Sequence, residues 1–267
     1  LSLADWHRTR DTLQGYCRLL GTLRRDSIAR QRHWSHATLL VAAEGLTTTP
    51  IPASGVLFEL RLDLRSHRLL LVTSRGGTTE QELVGQPSAE VLRRLNSDLE
   101  SLGIVISVDL SEIVDNRPGE WDREAIGRYW AALTAIDPVF KGFKGEMRRE
   151  SSPVQLFPHH FDLALSWYSG RLVPGQDPED EESADEQMTF GFSTGDRSIA
   201  DPYFYATAYP EPSGFLHSEL PPEARWQQEG FSGAVLPYAA LVDEPEADQR
   251  LRLFLDLAHH AGSSRML

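Results

Sequence analysis

The chain has one cysteine, two lysines and no long apolar run, and each scarcity closes off a class of protein. A lone Cys17 cannot build an intrachain disulfide framework, nor an all-thiolate zinc or iron–sulfur site. No stretch reaches the roughly 18–20 apolar residues of a membrane span. Leu1 to Arg10 also lack the apolar core of a signal peptide. Basic residues number 26 against 39 acidic ones, a net charge of −13, whereas a general nucleic-acid binder needs a basic surface. The expectation is a soluble, cytoplasmic protein with neither nucleic acid nor membrane as partner. What is present, 267 residues at 40% hydrophobic and 24% charged, is an ordinary globular composition, long enough for one large domain.

The charge is unevenly placed. Asp177 to Glu186 holds seven acids and no base, so without it the net charge moves from −13 to −6. Such a run repels itself and has no apolar surface to bury, which predicts an acidic flexible loop over 175–187. The first 36 residues lean the other way, with seven Arg against three Asp. Among the bases only Lys141 and Lys144 are lysine, so arginine is the general base of this chain and its scattered positions do not mark one recognition patch.

Hydrophobic periodicity then sets the elements. Leu13, Tyr16, Cys17, Leu20 and Leu23 recur at three- and four-residue steps, predicting a helix over about 10–30. Trp34 to Ala42 reads as a strand. Val56, Phe58, Leu60, Leu62 and Leu64 alternate with mostly charged residues, the clearest strand of the chain, and a turn near Ser66-His67 returns it as Leu69 to Ser74. A helix follows from an N-cap at Ser88 to a stop at Gly103, with Val91, Leu92, Leu95, Leu99 and Leu102 as its stripe. Ile104 to Leu110 reads as another strand. Beyond Pro118-Gly119, Arg123 to Ile136 is helical. Strands are expected at Pro153–Phe157, Phe161–Tyr168, Met188–Ser193, Tyr203–Tyr209 and Gly233–Tyr238, and a last helix at Glu246–Ala261. Grouped strands bracketed by helices predict an α+β fold of mostly antiparallel sheet with helices packed on one face. The whole of 1–267 is read as a single domain, with two intimately packed sub-parts, 1–117 and 118–267.

Motifs that would carry chemistry are few. Gly191-Phe192-Ser193-Thr194-Gly195 matches the G-x-S-x-G nucleophile elbow of a serine hydrolase, with Asp243 or Asp248 and His259 downstream. The elbow needs a helix directly after the serine, and Asp201-Pro202 arrives too soon for one. His160 and Asp162 share a strand face and His33 and His36 lie three apart, but neither spacing is a zinc signature, so no metal is expected. His159-His160 and His259-His260 read as exposed loop or helix residues. The chain has no phosphate-binding glycine loop and no cofactor motif, and no cofactor is expected.

The segment 150–171 carries the most polar information. Phe161, Leu163, Leu165 and Trp167 face one side of a strand, and Asp162, Ala164, Ser166 and Tyr168 the other. A buried Asp162 needs a partner, with Arg171 or His160 as the natural ones. This predicts either a structural ion pair or a polar pocket for a small anionic or amide-bearing ligand, with Arg171 as its fork and Tyr203, Phe204, Tyr205 and Tyr209 as lining.

The order His33-Trp34, Gly45-Leu46-Thr47-Thr48 with Pro50-Ile51-Pro52, Asp63 with His67, Ser152-Pro153-Val154, Phe161-Asp162-Leu163-Ala164, Ser169-Gly170-Arg171, Gly191-Phe192, Phe204-Tyr205, Tyr209-Pro210-Glu211-Pro212 and Leu236-Pro237-Tyr238 resembles a bacterial family of domains of unknown function, the one numbered 5996. The resemblance spans nearly the whole chain, which implies one domain, and it supplies no activity. That pattern has His where this chain has Gln155, Trp-Gly-Ser at Pro158-His159-His160, and Trp and Pro at Ser193-Thr194. The resemblance thus implies that Ser193, His159 and His160 are not family site residues, and that any family site is altered at Gln155.

The function is left as two expectations and a remote third. The first is a small-molecule-binding protein or enzyme with a polar pocket of Thr47, Thr48, His67, Ser152, Gln155, Asp162 and Arg171, because these polar residues sit at strand ends and loops. The second is a non-enzymatic structural or interaction module, homodimeric in one form, in which they only hold turns and buried pairs. The third is the hydrolase built on Ser193. Oligomeric state is not legible.

Overall fold

The computed structural model describes residues 2–106, 108, 110, 113–180 and 182–266. The chain's contacts divide it into two compact units, one of Asp5–Leu133 with Gln155–Phe161 and one of Leu1–Ala4, Thr134–Val154 and Asp162–Leu267. The division falls inside a helix, at Leu133/Thr134, and not at Pro118-Gly119.

The first unit holds most of helix α1 (Leu3–Ser27), whose buried Leu13, Tyr16, Cys17 and Leu20 are the periodic residues of the sequence. Strands β1 (Leu40–Val41), β2 (Gly45–Thr47), β3 (Ile51–Ala53), β4 (Val56–Asp63), β5 (Arg68–Thr73) and β6 (Thr78–Glu82) make an antiparallel sheet ordered β1–β2–β4–β5–β6, with β3 also on β4. Phe58, Leu60 and Leu62 of β4 are buried on one face, each contributing about 1.5–3 kcal/mol, and Leu57 on the other is exposed. Helix α2 (Ser88–Ser101) ends in a Schellman closure. Gly103 takes φ 71°, its N–H donates to Glu100, and the Ile104 N–H donates to Leu99. Helix α3 (Arg123–Gly145) begins in this unit. The short strand β7 (Gln155–Phe157) exchanges Leu39–Leu156 backbone bonds of 3.0 and 2.8 Å.

The second unit is built on strands β8 (Asp162–Leu172), β9 (Asp185–Ser193), β10 (Tyr203–Tyr209), β11 (Arg225–Gln227) and β12 (Gly233–Pro237), ordered β11–β12–β10–β9–β8 and antiparallel throughout. Directly paired residues share a face. Leu163, Phe192 and Phe204 therefore lie together on the apolar side, where the later part of α3 and helix α4 (Ala247–Ser263) pack. The Phe143 ring meets Phe190 at 5.0 Å, and His259 meets Trp167 at 5.1 Å. The α+β architecture of two antiparallel sheets agrees with the periodicity.

Several local expectations give way to tertiary bonds. Trp34 does not lie in a strand: Arg32–Ala37 is a 3₁₀ turn with His33 and Trp34 at φ 59° and 56°. The Arg24 guanidinium binds the carbonyls of Ser35 and Thr38, holding the chain in a turn there. Ser88 is the first helical residue and not the cap, and its hydroxyl instead accepts the Asp115 N–H at 2.7 Å. The described residues between Ile104 and Leu110 form no strand, since the Ile104 and Val105 amides are taken by Leu99 and by the Ser54 hydroxyl; Ser107 and Asp109 lie outside the described residues. Helix α3 runs through Pro138 to Gly145, because buried Phe140 and Phe143 repay the backbone bond that proline forfeits. Strand β9 begins at Asp185, inside the expected acidic loop. The β8–β9 connection thus closes with a Val173–Ala184 backbone bond of 2.8 Å; Glu181 lies outside the described residues.

Candidate functional site

The residues picked from the sequence are, with few exceptions, held by partners inside their own unit. In the first unit the Thr47 hydroxyl donates to Glu59 at 2.6 Å, and the Thr48 hydroxyl accepts the Leu60 N–H at 3.1 Å, so the pair fastens the end of β2 to β4. The Gln155 side-chain carbonyl accepts the Thr38 hydroxyl at 2.9 Å. His67 takes φ 57° after the Asp63 carboxylate has gathered the Arg65 and Ser66 amides into a turn. Its buried ring lies edge-on to Trp121 at 6.1 Å, and burial, with the Arg123 charge, holds its pKa below the usual value.

In the second unit the Ser152 hydroxyl accepts the Ser166 N–H at 2.9 Å, joining an adjacent Ser152–Ser166 backbone bond of 2.8 Å. Asp162 is buried, as its side of the strand predicts, but its partner is neither Arg171 nor His160. The Tyr205 hydroxyl donates to the Asp162 carboxylate. Arg171 forks onto Glu186 with two bonds of 3.0 Å at an exposed position. The stretch from Asp162 to Arg171 covers roughly 30 Å at the rise of a strand, too far for one small ligand to touch both.

The register explains the tyrosine. Asp162, Ser193 and Tyr203 are paired across three strands, and Ala164, Gly191 and Tyr205 form the next row on the same face. Gly191 is required by the close approach of the Tyr205 ring, since a Cβ there would sit 2.4 Å from it. Tyr203 donates to Asp196 at 2.5 Å, and the Phe231 ring stacks on Tyr203 at 6.1 Å. Burial and the neighbouring Asp162 carboxylate push the Tyr205 phenol well above its ordinary pKa, and burial and Asp196 do the same for Tyr203. Both phenols stay protonated as donors. The face thus carries two neighbouring tyrosine–aspartate pairs.

Ser193 lies on that polar face, and its Oγ accepts the Gly195 N–H at 3.2 Å in a turn with no helix after it. His259 packs against Phe143, Trp167 and Phe190 on the apolar face, not at an exposed site. The sheet therefore lies between the serine and the histidine of the expected triad. Burial lowers the His259 pKa, His260 adding to the effect and Asp256 opposing it.

A concave polar site lies elsewhere, in the first unit. A cavity of about 440 Å³ opens between α1 and the loop before α3, with Arg8, Asp11, Thr12, Gly15 and Tyr16 on one wall. These positions, spaced three and four apart, are one face of a helix. Gln86, Ser88 and the stretch from Asp115 to Glu120 complete it. Gly119 lets the loop seat on α1, since a Cβ there would stand 2.0 Å from the Thr12 hydroxyl. At the floor the buried Tyr16 hydroxyl donates to the Gln86 carbonyl at 2.6 Å. At the rim Arg8 bonds Glu120 at 2.6 Å, and Arg117 forks onto Asp115, with side chains 86% and 51% exposed. The fork holds the Asp115 carboxyl down at about 2. None of the seven residues picked from the sequence lines this cavity. The only sequence signal for it is the arginine excess of the first 36 residues.

Among the described residues no group of three or more His, Cys, Asp or Glu is placed to hold a metal ion, and no helix is long and apolar enough to cross a membrane. The fold and its polar clusters define an α+β protein of two antiparallel sheets. The chain belongs to the family of unknown function DUF5996, whose model matches residues 1–266. No curated protein and no solved structure matches it.

Proposed function

We propose that the protein binds a small, charged organic ligand in the α1 cavity. The observation that supports this most is the combination of a roughly 440 Å³ concavity with rim charges paired to one another at exposed tips. That volume lies within the range of small-molecule sites. Exposed ion pairs are worth about 0–1 kcal/mol, so a ligand can open them at little cost. This reading places the centre away from Asp162, which accepts the Tyr205 hydroxyl, and from Arg171, which forks onto Glu186. The internal bonding of Thr47, Thr48, Ser152, Gln155 and Asp162 favours a structural role for that set, the second expectation drawn from the sequence.

The test is a thermal-shift screen of small anions, cations and zwitterions on the wild-type chain and on Gly15→Trp. A Cβ at Gly15 meets nothing within 4 Å, so a large side chain there fills the cavity without displacing the helix. The expected result is a ligand that raises the melting temperature of the wild type and not of Gly15→Trp. Hits that stabilise both chains equally would place the ligand elsewhere and refute the proposal.

A further inference from the structure

We infer that the ligand of the α1 cavity is a small zwitterion, a molecule with an ammonium and a carboxylate group such as an amino acid or short peptide with free termini. This rests on the cavity being a ligand site. It follows from the charge arrangement of the walls.

The lining holds two guanidiniums, Arg8 and Arg117, and three carboxylates, Asp11, Asp115 and Glu120, a formal sum of 2 − 3 = −1. Signs are mixed on both walls: Arg8 and Asp11 come from α1, and Arg117, Asp115 and Glu120 from the facing loop. A lone anion that took the Arg117 fork would strip Asp115 of its partner and leave the lining more negative. A lone cation on Asp115 or Glu120 would leave a guanidinium without its carboxylate. A zwitterion opens the same pairs and replaces both halves. Its carboxylate takes the planar guanidinium fork in bidentate fashion, and its ammonium takes the released carboxylate, with no change in net charge.

The walls limit what joins the two charged groups. Gly15, Gly119 and Thr12 line the cavity with small side chains, which fits a short linker and small side chains on the ligand.

The experiment is calorimetric titration of the full chain at neutral pH with glycine and with tri-alanine bearing free termini, then with N-acetyl-tri-alanine and tri-alanine amide. At least one zwitterionic probe should bind the wild type and lose binding in Gly15→Trp. Capping either terminus should weaken tri-alanine about tenfold or more, the scale of one lost charged hydrogen bond. If a capped peptide binds as tightly as the free one and Gly15→Trp still abolishes binding, the zwitterion class is wrong while the cavity stands. If none of the four binds, the zwitterion class is likewise overturned, and the broader screen decides the cavity separately.

Discussion

The two polar clusters of this chain both hold paired aspartates and are arranged in opposite ways. Around Asp162, one carboxylate, two phenols and a serine lie in register on one face of a sheet, with Asp162, Ser193 and Tyr203 all buried and the Tyr205 ring filling the space left by Gly191, while Asp196, bonded to Tyr203, stands exposed in the turn after β9. Around the α1 cavity, two guanidiniums and three carboxylates stand at exposed tips about an open space. The sheet cluster resembles a functional site in composition, yet its tyrosine hydroxyls are bonded to its carboxylates across the sheet, which fixes strand register. The cavity cluster looks like ordinary surface in sequence, yet its weak pairs are the ones a ligand can exchange. Buried groups bonded across neighbouring strands mark structure; exposure with exchangeable pairing beside a concavity marks binding.

The largest expected effect is that of Asp162→Ala. It removes a charged acceptor and leaves the Tyr205 hydroxyl unpaired, which should cost about 3 kcal/mol. In urea denaturation Arg117→Ala should cost less than about 0.5 kcal/mol, since its exposed pair adds little. Equal costs for the two would break the contrast. Gly191→Ala comes next, at about 2 kcal/mol, because the new methyl overlaps the Tyr205 ring. In a Tyr205→Ala background that cost should largely vanish, and a double-mutant cycle showing full additivity would refute the packing explanation.

A smaller effect follows pH. Burial holds the folded pKa of His259 below its ordinary 6.5, so the folded chain keeps it neutral while the unfolded chain takes up a proton. Its contribution is complete above the unfolded value and is lost as pH falls below about 6.5 toward the folded one. His259→Leu should flatten that part of the stability curve, and an unchanged slope would assign the dependence to other groups. One effect is a gain: Gly15→Ala, at an open helix position on the cavity wall, should add about 0.8 kcal/mol by helix propensity alone.

How much of this was legible depends on the range of the interactions. Strand β4, the stop at Gly103 and the two faces of β8 follow from local periodicity and turn chemistry, and all three appear in the fold. Strand β6, Thr-Thr-Glu-Gln-Glu, shows no apolar alternation and was not legible. Asp162 was found as a buried acid, but its partner was not, because pairing with Tyr205 depends on a register across three strands. The cavity depends on contacts more distant still. Arg8 meets Glu120 at a separation of 112 residues, and neither side chain departs from ordinary surface composition.

The most direct test of the contrast is a crystallographic fragment soak with a library of small charged and polar molecules. The predicted result is fragments in the α1 cavity, against Arg8, Asp115 or Arg117, and none displacing Tyr205 from Asp162. Fragments on the Asp162 face with an empty α1 cavity would contradict it.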